Sequence, residues 1–160
     1  MIYALALGTN IDHAAALQQV HAALEQLGTC QYSAIYELPD RAGRAHLIYW
    51  NQAVLLEARG LDCETLLLQL NQIEQRCGRI RPSQSVRMDI DLIAAGTQVA
   101  TLQVVTARLP LPADVYLPLL ALWPNCPTPH AELTQQIQPL NITDSILHTD
   151  NTLRQTLHIE

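Results

Sequence analysis

The stretch that decides the fold of this 160-residue chain is residues 88–94, which read MDIDLIA. Acidic and apolar side chains alternate here. Since the side chains of a β-strand point alternately to its two faces, the pattern predicts a strand with one polar and one buried face. Asp89 and Asp91 then share the polar face, about 6.6–6.8 Å apart along the strand. Two carboxylates so close repel each other unless a cation or water screens them, which makes them a candidate Mg²⁺ site; a merely solvated strand face is the alternative.

Apolar spacing upstream of this strand predicts the other elements. Asp12 and Asp62 are candidate helix N-caps, and Gly28 and Gly78 follow the last turns. Gly8-Thr9-Asn10 predicts a turn after the first strand. In chain order, the predicted elements are a strand at 2–7, a helix at 12–27, strands at 31–38 and 48–58, a helix at 62–77 and the strand at 88–94.

The order βαββαβ is that of the ferredoxin-like arrangement, so we expect an α+β fold with helices packed on an antiparallel sheet. A hairpin through Gly96 to Val105 and a short helix at 115–123 follow the core. The chain is expected to be a single domain, with a motif-bearing core at about 2–124 and a C-terminal extension at 125–160. Five apolar residues should lie between the helices and the sheet: Leu17, Leu24, Leu66, Leu70 and Ile73.

Composition excludes several classes of protein. Apolar residues form 49% of the chain, which excludes intrinsic disorder, and the formal net charge of −6 argues against general nucleic-acid binding and anionic membranes. No apolar run approaches the ~20 residues of a membrane span. The four cysteines are scattered and no export signal precedes them, so reduced thiols and a cytoplasmic location are expected. We expect a monomer or a weak homodimer.

Three of the nine basic residues, all arginines, lie close to the two aspartates. Arg79 and Arg81 follow the second helix, and Arg87 is expected on the same strand face as Asp89 and Asp91. A guanidinium group can donate two parallel hydrogen bonds to phosphate oxygens, which favours a phosphate site next to the carboxylates. The alternative is that Arg79 and Arg81 only cap the helix C-terminus. Glu74, on the last helical turn, would support an arginine, contact a nucleotide or be solvent-exposed.

Tyr49 and Asn51 lie on the third predicted strand and share a face, whereas Trp50 points to the other. An aromatic ring beside an amide, which can both donate and accept hydrogen bonds, suits a flat heterocycle such as a pterin or purine. Core filling by the aromatic residues is the alternative. The six histidines show no metal-binding spacing, and no glycine-rich phosphate loop occurs.

Taken together, these motifs resemble one family, 6-hydroxymethyl-7,8-dihydropterin pyrophosphokinase (HPPK). The similarity runs in order over about residues 2–124. The matching segments are Ala6-Leu7-Gly8-Thr9-Asn10, Tyr36-Glu37-Leu38-Pro39, Tyr49-Trp50-Asn51, Ile73-Glu74, Gly78-Arg79-Ile80-Arg81, Met88-Asp89-Ile90-Asp91-Leu92, Pro118-Leu119 and Trp123-Pro124.

The resemblance implies transfer of a pyrophosphoryl group from Mg-ATP to the hydroxymethyl oxygen of a dihydropterin, with release of AMP, in folate biosynthesis. It implies that Asp89 and Asp91 hold two Mg²⁺ ions and, with Arg79 and Arg81, form the catalytic set. Four residues would bind nucleotide: Glu74, Arg79, Arg81 and Arg87. Five would bind the pterin: Leu38, Pro39, Tyr49, Asn51 and Tyr116.

Some of the family's residues have no counterpart in this chain. Its Pro-His pair downstream of the aspartates is missing, and no histidine lies between His46 and His130. The arginine that normally follows that pair is also missing, and Arg108 is a partial substitute. The alternative hypotheses are therefore a degenerate paralogue that binds a pterin-like ligand without kinase activity, and an interaction domain whose acidic strand face is solvated.

Overall fold

The strands and helices are described by a computed structural model over residues 1–107 and 109–127. Arg108 and most of the expected C-terminal extension lie outside the described residues. The elements are β1 (Ile2–Thr9), α1 (His13–Glu25), β2 (Thr29–Tyr32), β3 (Tyr36–Pro39), β4 (Ile48–Glu57), α2 (Cys63–Arg76), β5 (Asp89–Gly96), a short 3₁₀ helix (Val99–Thr101), β6 (Gln103–Val104) and α3 (Ala113–Leu122).

The sheet has the strand order β2-β4-β1-β5-β6, and β3 also pairs with β4. Every pairing is antiparallel, with β1 in the middle between β4 and β5. The α+β fold and the ferredoxin-like core that the sequence predicted are confirmed. The hairpin after Gly96 is also confirmed, since β6 pairs with residues 94–95 of β5.

The strand predicted at 31–38 is wrong as one continuous element. It forms two short strands, β2 and β3, which pair with opposite ends of β4. Between them, Ser33 Oγ accepts a hydrogen bond from the Ala53 amide at 2.9 Å, and Gln52 Nε2 donates to the Ser33 carbonyl at 2.9 Å. Side-chain hydrogen bonds replace part of the backbone ladder here, which alternating hydrophobicity does not reveal.

The predicted turn after the first strand begins too early. Gly8 and Thr9 belong to β1, where they pair with Asn51 and Trp50 of β4. Asp62 caps α2 as predicted, since its side chain accepts from the Thr65 amide at 2.8 Å. Asp12 lies at the N-cap position of α1, but its backbone is left-handed (φ 50°) and its side chain makes no capping hydrogen bond.

Two apolar layers cover the two faces of the sheet. The helices α1 and α2 cover one face, and the five residues predicted for that core are all buried there. The helix α3 covers part of the other face, where it packs Val115, Tyr116 and Leu119 against small residues of β1 and β4. No helix in the described part of the chain has the length and apolar character that crossing a membrane requires.

Leu70 and Leu68, two residues apart on α2, test this packing directly. Leu70 is 2% exposed and Leu68 is 59% exposed. We expect Leu70→Ala to lower the free energy of unfolding by about 2–5 kcal/mol, because it leaves a cavity in the core. Leu68→Ala is the matched control and should change it by less than about 0.5 kcal/mol. Chemical denaturation measures both, and equal losses would contradict the assigned helix face.

Candidate functional site

A cavity of about 250 Å³ opens on the face of the sheet that α3 covers only in part. Its floor is formed by β1, β4 and β5, and its walls by the segment 39–44 and the first turn of α3. The volume lies below the ~300–1,000 Å³ of typical drug-sized sites. The cavity therefore has room for one small ring system, and a larger ligand such as a nucleotide must extend beyond it.

The middle of the floor is low because the β1 residues that face the cavity, Ala6 and Gly8, are small, while the side chain of Leu7 packs in the core on the other face. In the sheet, Gly8 pairs with Asn51 of β4 on one side and with Asp89 of β5 on the other. A side chain at Gly8 would begin 3.6 Å from Asn51 Oδ1 and 3.7 Å from the Tyr49 ring. The glycine therefore leaves open the space between the amide and the carboxylates.

Arginines and carboxylates meet at the β5 end of the cavity. Arg81 Nη2 lies 3.0 Å from Glu74 Oε2 and 3.3 Å from Asp89 Oδ1, and Arg79 Nη2 lies 3.9 Å from the same Asp89 atom. Asp89 and Asp91 both line the cavity, as their spacing predicted. Arg79 and Arg81 thus converge on Asp89, and their positive charges screen this carboxylate.

Glu74 is buried, with 4% exposure, so the solvent-exposed alternative for this residue is wrong. Its Oε2 accepts from Arg81 and its Oε1 accepts from the Ile90 amide at 2.8 Å. Burial raises the pKa of Glu74, while these two hydrogen bonds act in the opposite direction. Glu74 thus ties the end of α2 to the start of β5 and holds the Arg81 guanidinium next to Asp89.

Arg79 differs from Arg81 in its burial. The Arg81 side chain is 60% exposed, whereas that of Arg79 is only 12% exposed and lines the cavity. Within the described residues, Nε and Nη1 of Arg79 are buried without a hydrogen-bond partner. Buried donors without partners carry a free-energy cost, which an oxyanion bound at this position would remove.

Tyr49 and Asn51 lie at the other end of the cavity, on one face of β4 as predicted. Asn51 is 4% exposed, and its Nδ2 makes only long contacts, 3.4 Å to the Tyr36 carbonyl and 3.5 Å to the Tyr49 carbonyl. An amide held by such long bonds can exchange them for a ligand at little cost. Burial and the nearby Asp40 raise the pKa of Tyr49 above its ordinary value.

The other predicted site residues are divided between the cavity lining and the layers around it. Pro39 lines the cavity, whereas Leu38 is buried next to Tyr49 in the register of β3 and β4. Tyr116 is 5% exposed within the apolar layer under α3. Arg87 precedes β5 and pairs with Asp12 at 3.3 Å, so the expectation that it shares a strand face with Asp89 and Asp91 is wrong. The chain bends at Arg87, before β5 begins at Asp89. The prediction had extended the alternation of a straight strand back across this bend.

The cavity walls also contain four charged residues that the sequence pattern does not indicate: Asp40, Arg41, Arg44 and Asp114. Asp40 accepts from Arg44 Nε and Nη2, each at 2.8 Å, and from the amide of Ala42 at 3.0 Å. Arg41 Nη2 lies 2.9 Å from Asp114 Oδ2 on α3. The turn-rich sequence at 39–44 predicted a loop, but only tertiary structure brings Asp114 to it.

At the β5 end of the cavity, two carboxylates could bind a divalent cation, those of Asp89 and Asp91. No group of three or more His, Cys, Asp or Glu side chains with metal-binding geometry occurs within residues 1–107 and 109–127. Two carboxylates fit Mg²⁺, because this ion keeps several waters and takes its other ligands from substrate phosphates. Such a donor set would suit a cation that shares its coordination with phosphate and water, rather than one enclosed by protein ligands.

Fold and site together define a class of protein: an α+β sheet with a small cavity that has an aromatic–amide end and a carboxylate–arginine end. The sequence model of the 7,8-dihydro-6-hydroxymethylpterin-pyrophosphokinase (HPPK) family matches residues 4–137. The chain belongs to this family, whose members are diphosphokinase transferases of folate biosynthesis that use ATP and Mg²⁺. A search of curated proteins finds no match to the chain.

The Asp40–Arg44 pair gives the cavity wall a defined pH dependence. The Arg44 side chain lowers the pKa of Asp40 from 3.8 to about 2. Because the folded-state pKa is depressed, the stabilisation is fully present above about pH 4 and is lost as the pH falls through about 2. We expect the Asp40 carboxyl carbon to titrate near pH 2 in NMR, and Arg44→Gln to move this value back toward 3.8. An Asp40 pKa that Arg44→Gln does not change would contradict the pairing.

Proposed function

We propose that this protein transfers a pyrophosphoryl group from ATP to the hydroxymethyl oxygen of 6-hydroxymethyl-7,8-dihydropterin and releases AMP. Family membership supports a pterin pyrophosphokinase, and the cavity supports the residue assignments. The observation that carries the proposal is the position of Gly8 between Asn51 and Asp89 on neighbouring strands. Strands in a sheet are about 4.8 Å apart, so Asn51 and Asp89 lie about 10 Å from each other across β1.

This spacing suits a fused two-ring heterocycle that lies over Gly8. Asn51 would pair with the ring edge, with Tyr49 stacked on the ring and Pro39 beside it. Leu38 and Tyr116 are both buried, so they would contribute to pterin binding by packing behind the cavity wall. The hydroxymethyl group at the far end of the ring would then lie near Asp89 and Asp91.

The carboxylate–arginine end would bind the triphosphate. Asp89 and Asp91 would hold two Mg²⁺ ions, which supply charge neutralisation and orient the phosphates. Arg79 would donate to phosphate oxygens from its two unpartnered groups, Nε and Nη1. Arg81 would also bind phosphate, from its position between Glu74 and Asp89. Arg87 would bind nucleotide only after leaving Asp12, while Glu74 would act through Arg81.

Such a transfer needs alignment and charge neutralisation rather than a protein nucleophile. The acceptor oxygen must approach the β-phosphorus of ATP in line with the bond that breaks. A sheet floor that binds the acceptor ring on β4 and the metal–phosphate group on β5 provides such alignment, because the hydrogen bonds to β1 keep the two strands at a constant separation.

The second candidate is a degenerate paralogue that binds a pterin-like ligand without transferring phosphate. It is favoured by the absence of any histidine between His46 and His130, where the family has its Pro-His pair. Both candidates share the heterocycle end of the cavity and differ in the nucleotide end. Pterin binding alone therefore does not separate them, whereas AMP formation does.

Asn51→Ala tests the heterocycle end. The variant removes a donor and an acceptor from the ring edge, so pterin affinity should fall by about ten- to a hundredfold. Gln31→Ala, an exposed amide on β2, is the matched control and should leave the affinity unchanged. Fluorescence titration with the pterin in the absence of nucleotide gives both values. Unchanged affinity in Asn51→Ala would refute the assigned pocket.

Asp89→Asn and Asp91→Asn test the metal end. Each keeps the side-chain shape but removes one carboxylate charge, so AMP formation should fall by orders of magnitude across a Mg²⁺ titration. Pterin binding without nucleotide should change little. The control is Glu64→Gln, which removes one charge from the exposed first turn of α2. Wild-type AMP formation that survives Asp91→Asn would refute the metal assignment, and a wild type that forms no AMP would favour the paralogue without activity.

A further inference from the structure

Asn10 directly follows β1 and binds a segment that lies far away in the chain. Its backbone amide donates to the Val86 carbonyl at 2.9 Å. Its side chain uses both ends of the amide group, since Nδ2 donates to the Gln84 carbonyl at 2.7 Å and Oδ1 accepts from the Val86 amide at 2.7 Å. One residue thus holds three backbone groups of residues 84–86.

These residues belong to the arginine loop, defined here as residues 79–88, between the end of α2 and the start of β5. The loop has no regular secondary structure, yet it begins with Arg79 and Arg81 and leads into Asp89. At its start, the Arg79 amide donates to the Glu74 carbonyl at 3.0 Å. Toward its end, Asn10 and the Asp12–Arg87 ion pair at 3.3 Å attach it to the segment after β1.

Asn10 also reaches the heterocycle end of the site. Its neighbour Thr9 pairs with Trp50 of β4, next to Tyr49, and the Asn10 side chain partly offsets the rise in the pKa of Tyr49 that burial causes. Tyr49 lies on β4, and β1 separates this strand from β5. Asn10 therefore binds the loop that carries the phosphate-binding arginines, and it lies beside the strand that carries the residue proposed to stack on the acceptor ring.

We infer that Asn10 is a positioning residue that aligns the arginine loop, and with it the phosphates of the nucleotide, against the acceptor ring on Tyr49. This inference rests on the proposed function and adds to it a residue that contacts neither reacting group. An irregular loop keeps one conformation only where hydrogen bonds compensate its conformational entropy. Small displacements of aligned groups are expensive in a two-substrate reaction, up to about a hundredfold in rate for 1 Å.

The test uses three variants of the full chain. Asn10→Ala removes both side-chain hydrogen bonds to the loop. Asn10→Asp keeps an oxygen that accepts from the Val86 amide but loses the donor to Gln84. Gln84→Ala is the matched control, because Asn10 binds the Gln84 backbone carbonyl while the Gln84 side chain is exposed.

Hydrogen exchange reports on the loop independently of activity. In Asn10→Ala, we expect exchange in a peptide covering 82–88 to become about tenfold faster or more, because the Val86 amide loses its acceptor, while amides of β1, β4 and β5 keep their protection. Asn10→Asp should restore much of this protection, and Gln84→Ala should match the wild type. Faster exchange throughout the sheet in Asn10→Ala would mean general destabilisation and would overturn the inference.

Binding and kinetics then separate this inference from the proposed function. We expect Asn10→Ala to weaken the affinity for a non-hydrolysable ATP analogue with Mg²⁺ about tenfold, and to lower kcat at least as much, with partial rescue in Asn10→Asp. A wild type that forms no AMP refutes the proposed function, and the loop inference then stands or falls on analogue affinity and exchange. Unchanged analogue affinity and kcat in Asn10→Ala would overturn the inference even if AMP forms.

Discussion

The antiparallel pairing of β1 with both β4 and β5 is the constraint on which the rest of the structure depends. This central strand turns large side chains, Tyr3, Leu5 and Leu7, toward α1 and α2, where they form the main core. Toward α3 it presents Ile2 at its start and then only Ala4, Ala6 and Gly8, and this asymmetry leaves room for α3 at one end and for the cavity at the other. Large residues on both faces of this strand would fill the site.

Charge balance is the second condition for the site. Asp89 and Asp91 would repel each other on a bare strand, yet Arg79 and Arg81 lie against Asp89, and buried Glu74 holds Arg81 in this position. The cluster therefore contains both the carboxylates that suit a divalent cation and the guanidinium groups that suit phosphate. These ion pairs keep the repulsion between the carboxylates low in the folded protein. A ligand that carries both positive and negative charges can replace the internal ion pairs with ion pairs to itself. Charge is balanced in the same way in the cavity wall, where Arg41 of the segment 39–44 pairs with Asp114 of α3.

The predictions made from sequence succeeded where the physical signal is periodic and local. Helical spacing identified α1 and α2 and their buried residues, and alternation identified the face shared by Asp89 and Asp91 and the face shared by Tyr49 and Asn51. They failed where a side chain interrupts the backbone pattern. Ser33 divides one predicted strand into β2 and β3, and the left-handed backbone of Asp12 turns its carboxylate to Arg87 instead of to its own helix. In each case a polar group binds a partner that is distant in sequence.

The sequence by itself determined the order of elements, the buried faces of both main helices and the residue types of the two ends of the site, because these follow from spacing within single strands and helices. Only the tertiary structure decided that Gly8 separates Asn51 from Asp89, that Glu74 is buried under Arg81, and that Asn10 holds the arginine loop. The contacts of Gly8 and Asn10 join residues 43 to 81 positions apart, and the contact of Glu74 with Arg81 depends on the burial of a charge. Neither a long-range contact nor the burial of a charge can be recognised in a single sequence, because the free energy of a contact depends on which other residues the fold brings next to it.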